Sequence, residues 1–312
     1  MTIKDIYELG IKEGKKSDFR GKKEINWKLS RTEKAYEKLS GKEKKTFDKE
    51  KLTNPYSDTR ILYGDPDKKV KKILVGIDID GEELLLADKM GDIDLVISHH
   101  PRGKALAGLD DVMDLQIEVL HQYGVPVNIA EKLLKKKIKE VSRTLSPGNH
   151  QRAVDMAEIL DIPLMTMHTP CDNMVAEFVN EKLKKDEPRL LKDVLKSLRE
   201  IPEYEKAEEL GMGPKIFVGG KENRVGEMIL SEITGGTEGN AEIYESLAQA
   251  GAGTVIGMHI SEKHREKAEK AHINVVIAGH MSSDSIGVNL FLDKLKDVEI
   301  VSCSGLIRHE RN

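Results

Sequence analysis

The run Asp94-Leu95-Val96-Ile97-Ser98-His99-His100-Pro101 constrains this chain more than any other stretch. Its apolar, β-branched core reads as a buried strand; two adjacent histidines end it and a proline stops it. Upstream, Lys72 to Asp78 has the same composition, and Gly81 to Lys89 between the two reads as a helix. Strand, helix, strand at this spacing implies parallel pairing with a right-handed crossover, and so an α/β sheet. Such sheets bind ligands beyond the carboxyl ends of their strands, where the two imidazoles fall.

Two later stretches repeat the pattern. Leu164 to Asp172 runs from a strand into His168 and Asp172, and Val275 to Asp284 runs from a strand into Gly279, His280 and Asp284. Neutral imidazole with carboxylate suits zinc, iron, manganese or cobalt. His99, His100, Asp172, His280 and Asp284 exceed what one ion needs, and a bridging aspartate, with Asp172 the candidate, would let the set hold two. Each residue has a plainer reading. A lone histidine at a strand end is more often a hydrogen-bonded structural residue. Asp172 could cap a helix beginning at Asn173, and Asp284 could cap the helix that follows it. If a helical turn begins after Gly279 instead, His280 and Asp284 share one face.

Composition sets the outer limits. The formal net charge of -4 argues against a general nucleic-acid binder. Charge is uneven, with roughly +6 over residues 1–60 and the opposite sign beyond. Two cysteines, Cys171 and Cys303, make no disulfide framework, and no apolar run suits a bilayer, so the expectation is a cytoplasmic protein without membrane contact.

Residues 1–58 read as an amphipathic helix followed by a charged insertion carrying Phe19, Trp27, Tyr36, Phe47 and Tyr56. That insertion is expected to pack on the main lobe or on a neighbouring subunit. Residues 59–185 form a first α/β lobe with the first two histidine stretches, and residues 186–312 form a second lobe with the third. Within the first lobe, Val125 to Ile129 reads as a short strand and Glu131 to Thr144 as a basic-faced helix. Gly235-Gly236-Thr237-Glu238-Gly239 could present backbone N–H groups to an anion where a helix opens, with Gly236 and Thr237 contacting substrate. Arg102 and Lys104, just past the histidine pair, are candidates for a phosphate or carboxylate. His150 and His259 are candidate substrate-side groups, whereas His121, His264, His272 and His309 sit in charged, surface-like contexts.

Taken together and in order, the stretch Leu62 to Asp78, then SHHP, HTPCDN, GGTEGN and AGHMSSD resemble the Nif-three-like family, also known as GTP cyclohydrolase I type 2 homologs. The resemblance spans most of residues 59–300. It implies two facing α/β lobes with mixed or parallel sheets, a dinuclear metal site between them and a ring-shaped homohexamer. Matched by motif, the ligands of two divalent ions per chain are His99, His100, Asp172, His280 and Asp284, with His168 an accessory group. Asp284 stands where the family usually carries glutamate, one methylene longer. The spacing from Pro101 to His168 is greater than usual, and the 18–58 segment replaces a shorter stretch. The expectation is a metal-dependent hydrolase acting on a nucleotide-like or phosphorylated small molecule. The alternative is a non-catalytic, metal-stabilised scaffold or regulatory partner.

Overall fold

The computed structural model describes residues 1–311. Nine strands form two sheets: β1 (Arg60–Tyr63), β2 (Lys72–Gly76), β3 (Leu95–Ser98), β4 (Leu164–Thr166), β5 (Lys215–Val218), β6 (Glu227–Glu232), β7 (Ala252–Gly257), β8 (Asn274–Ile277) and β9 (Glu299–Cys303). The first sheet has the order β1-β4-β3-β2-β9 and the second β5-β8-β7-β6. Each is parallel except for one edge strand, β1 against β4 and β5 against β8. Both lobes draw on chain from each side of residue 185. β9 completes the first sheet, and the helices Asp114–Gln122 and Val127–Leu145 pack under the second.

Strand composition explains the layering. Alternate residues of a strand face opposite sides, so a sheet covered on both faces needs apolar residues throughout. In β2, Ile73 and Val75 pack with Ile3, Ile6 and Phe291, while Leu74 turns to Leu84, Ala153 and Ala157. In β8, Val276 faces Val175 and Val179, while Val275 and Ile277 face Leu120, Leu134 and Tyr244. Each such fully buried aliphatic side chain contributes about 1.5–3 kcal/mol.

Between the sheets lie two helices, Thr169–Asp186 and His280–Leu292. The first sends Cys171 and Met174 into one core and Val175 and Val179 into the other; the second likewise divides Phe291 from Ile286. They cross at Gly287, where even a Cβ would come within 2.4 Å of the Cys171 carbonyl oxygen. That close approach brings the first turns of both helices, and their acidic residues, to one place.

The charged N-terminal insertion folds as helices Gly21–Glu37 and Gly41–Thr46 with a short 3-10 turn after them. It packs on the first lobe through Tyr56, whose hydroxyl donates to buried Asp18 and accepts from the Asn173 amide, and through Arg60, which pairs with Asp48 and Glu50. Trp27, by contrast, is exposed. The strand expected at Val125 to Ile129 does not form. The chain instead turns at Pro126 into a 19-residue helix, because Ala130 and Leu134 lie on the buried face that begins there.

Candidate metal centre

Every imidazole of the cluster leaves the carboxyl end of a strand. The β3 backbone continues past Ser98, with the His99 N–H donating to the Gly76 carbonyl and the His100 N–H to that of Ile77. This extension holds both rings at the edge facing the second lobe. His168 follows β4 and is the N-cap of the helix Thr169–Asp186, so Asp172 sits inside the first helical turn and caps nothing. His280 opens its own helix after Gly279, whose φ of +113° suits glycine, and Asp284 lies one turn further along the same face. The capping alternatives for both aspartates therefore fall away.

Hydrogen bonds fix three of the rings. His99 Nδ1 lies 3.1 Å from the Met167 carbonyl oxygen, an atom that only accepts, so the proton sits on Nδ1 and Nε2 presents a lone pair. His100 Nδ1 is 2.9 Å from Asp78 Oδ1, and His168 Nδ1 is 2.8 Å from Asp58 Oδ2. Asp58 is itself fully buried and also accepts from the Thr169 hydroxyl at 2.6 Å. A carboxylate or carbonyl on one ring nitrogen is the usual way to orient the other towards a metal.

The free nitrogens converge on two carboxylates. Asp284 lies 3.5 Å from His99 Nε2, 3.3 Å from His100 Nε2 and 3.5 Å from His280 Nε2. Asp172 lies 3.4 Å from His99 Nε2 and 3.7 Å from His168 Nε2. Ligand atoms within 4.8 Å of one another form three overlapping groups: His99 with His100 and His168, His100 with His280 and Asp284, and His99 with Asp172 and Asp284. His99 Nε2, Asp172 Oδ1 and Asp284 Oδ2 are buried without a hydrogen-bond partner. Each such atom costs about 1–3 kcal/mol if nothing else satisfies it. Burial opposes charge on Asp284, yet His99 and His100 hold its carboxyl far below the usual carboxylate range. Burial likewise opposes a charged His99, but with no cation between them Asp284 and Asp172 hold that imidazole well above its ordinary value, favouring on Nε2 a proton that a metal ion would replace. The donor set is one made for cations, and it fits divalent ions of the zinc, iron, manganese or cobalt kind.

No protein-family model matches the chain, and no curated protein does. Among solved structures, the NIF3 superfamily protein from Sphaerobacter thermophilus is 26% identical, with a TM-score of 0.70, and the match covers 82% of this chain and 94% of that one. The chain resembles the NIF3 superfamily in fold as well as in its motifs. The reduced HcgD of Methanocaldococcus jannaschii shares the fold at 17% identity and a TM-score of 0.51, over 84% of this chain and 94% of that one.

The residues expected beside the metals divide. Gly236 and Thr237 line the cavity at the cluster, together with His259, whose ring packs edge-on against His280 at 5.1 Å. The glycine-rich loop does not open a helix, since the next one begins at Ile243; Gln116 holds it by donating to the Gly235 and Thr237 carbonyls. Arg102 folds back onto the Ile79 carbonyl at 2.7 Å and onto Asp78 at 3.3 Å, and so steadies the carboxylate that orients His100. Lys104 is exposed and pairs with Asp48 at 3.1 Å, and the His150 carbonyl accepts from Gly103. None of these three lines the cavity. His264, expected at the surface, is buried between Ser261 and the Gly239 carbonyl.

The cavity is narrow, about 30 Å³. That leaves room for water or a small reacting group rather than a whole substrate. Its mouth lies at His280, whose side chain is 42% exposed. A larger cavity of about 690 Å³, along the helices Ile3–Lys16 and Gly21–Glu37, shares no lining residue with the cluster. Sequence reading missed Asp58 and Asp78, which orient His168 and His100, and Glu232 on the cavity wall. Asp78 ends a buried strand just as the histidines do, and that signal was available.

Proposed function

We propose that this is a cytoplasmic, dinuclear metal-dependent hydrolase of the GTP cyclohydrolase I type 2-like kind, acting on a nucleotide-like or phosphorylated small molecule. The observation that carries it is the set of three orphaned buried ligand atoms surrounded by imidazoles with fixed tautomers. His99, His100, Asp172, His280 and Asp284 would hold the two ions, and Asp284, within reach of three imidazoles, would be the carboxylate shared by both. Two such ions lower the pKa of water between them and clamp a developing oxyanion. No lysine or arginine lines the cavity, so the negative charge of a phosphorylated substrate falls to the ions. Among the described residues no helix is long and apolar enough to cross a membrane, which agrees with a cytoplasmic setting. A closed homohexamer is part of the same reading, by resemblance. The narrow cavity favours one alternative, a metal-stabilised scaffold without turnover.

The test is elemental analysis of chelator-free protein, followed by a hydrolysis screen over nucleotides, phosphate esters and cyclic amides. Two ions per chain and metal-dependent turnover are expected. Two ions without turnover would leave the scaffold, and no ions under metal excess would end both readings.

A further inference from the structure

Four carboxylates line the cavity, and three are accounted for. Asp172 and Asp284 belong to the ligand set. Glu238 accepts from the Ser261 N–H at 2.7 Å and pairs with His264 at 3.1 Å. Glu232 remains, at the carboxyl end of β6 on the second lobe, on the wall that also carries His168 and Asp172 of the first. It forms no salt bridge among the described residues.

Its position is built rather than incidental. A Cβ at Gly257, the β7 residue paired with Glu232, would lie 2.9 Å from the Glu232 Cβ. A Cβ at Gly239 would lie 3.6 Å from Glu232 Oε1. Two glycines thus leave a slot for this side chain. The charged and polar groups around it are His264, Glu238, His259 and the Gly239 N–H. Burial pushes the Glu232 carboxyl up, and Glu238 adds to this against the two histidines. Glu238, by contrast, is drawn down to about 2: burial opposes this, but His264 and the Ser261 N–H outweigh it. Neighbouring carboxyls pushed apart in this way divide into a proton donor and a fixed anion.

We propose that Glu232 is the general acid of the hydrolysis, an assignment that rests on the hydrolase reading above. As a bond forms from a water oxygen to the electrophilic carbon or phosphorus, the bond to the leaving oxygen or nitrogen breaks. The leaving atom takes the bonding pair and receives the proton of the Glu232 carboxyl. Solvent then returns to Glu232 a proton equivalent to the one the attacking water gave up, so one water is consumed overall. The substrate class is narrowed accordingly, to compounds whose leaving group is a poor one, such as an alkoxide or an amide nitrogen, which cannot depart unprotonated.

The experiment compares metal-loaded wild type with Glu232→Gln on two probes, phenyl phosphate and 4-nitrophenyl phosphate. Nitrophenolate departs without a proton, whereas phenolate gains from one. Glu232→Gln is expected to slow phenyl phosphate by about 100-fold or more and the nitrophenyl ester far less, since general acids supply about 10²–10⁴-fold. Ion content should be unchanged, and infrared spectra of the metal-free protein should lose one protonated-carboxyl band. Gly257→Ala, which crowds Glu232 without removing it, should show the same preference for the better leaving group. Equal loss on both probes, no loss on either, or an unchanged carboxyl band would overturn the assignment. Metal-replete wild type that hydrolyses neither probe nor any compound of the wider screen would instead overturn the hydrolase reading, and this role with it.

Discussion

Replacing Gly287 by alanine tests whether the helix crossing builds the metal site. In an exposed helix interior, Gly→Ala stabilises by about 1 kcal/mol, because alanine loses less backbone entropy. Here the new Cβ would stand 2.4 Å from the Cys171 carbonyl oxygen and 2.8 Å from its carbon, about 1 Å short of ordinary contact. The obstacle is backbone, so no rotamer change relieves it, and the two helices must separate. Overpacking of this kind costs about 1–3 kcal/mol, enough to cancel or reverse the propensity gain. Cys171 precedes Asp172, and Asp284 is one turn before Gly287, so the same separation pulls the two carboxylates apart. Ligand distances tolerate about 0.2 Å, and disturbed supporting contacts cost about 10–100-fold in metal affinity. The assay is urea denaturation of metal-free protein together with competitive metal titration, with Gly41→Ala as control, since no atom lies near a Cβ there. Gly287→Ala should be no more stable than wild type and should bind ions at least tenfold more weakly. Greater stability with unchanged affinity would refute the argument that this contact sets the site.

Two further predictions concern carboxylates. Asp284→Asn should weaken both ions together, because Asp284 faces His99, His100 and His280, while Asp172→Asn should weaken one ion much more than the other; stepwise metal titration distinguishes them, and the reverse pattern would make Asp172 the bridge. Glu238 has a folded-state pKa near 2 against an ordinary 4.5, so its stabilising contribution is present above pH 4.5 and lost as pH falls towards 2. The difference in urea midpoint between wild type and Glu238→Gln should therefore shrink over that window, and a difference constant from pH 6 to pH 2 would count against the pairing with His264.

What the sequence disclosed follows the range of each interaction. Strand ends delivering His99, His100, His168 and His280 were legible, because β-branched runs and the four-residue spacing to a carboxylate are local patterns. Which carboxylate orients which ring was not. Asp58 meets His168 across 110 residues and Asp78 meets His100 across 22, so no window of sequence holds both partners. Arg102 misled for the opposite reason: adjacency to a ligand in sequence says nothing about direction, and its guanidinium folds back on Asp78 and Ile79.

The same distinction explains why the cluster lies between the lobes. Each lobe repeats one unit: an antiparallel edge strand, a parallel strand ending in histidine, and a helix carrying aspartate one turn later. Either unit alone supplies one histidine and one carboxylate, too few to hold an ion. Crossing the two helices at Gly287 superimposes the units, and His99 and His100 from the adjacent strand complete the donor set. The glycine is visible in the sequence as an isolated Gly within a helical pattern, a feature that usually marks close packing. What it packs against, and so why two weak half-sites become one strong one, is a property of the folded chain alone.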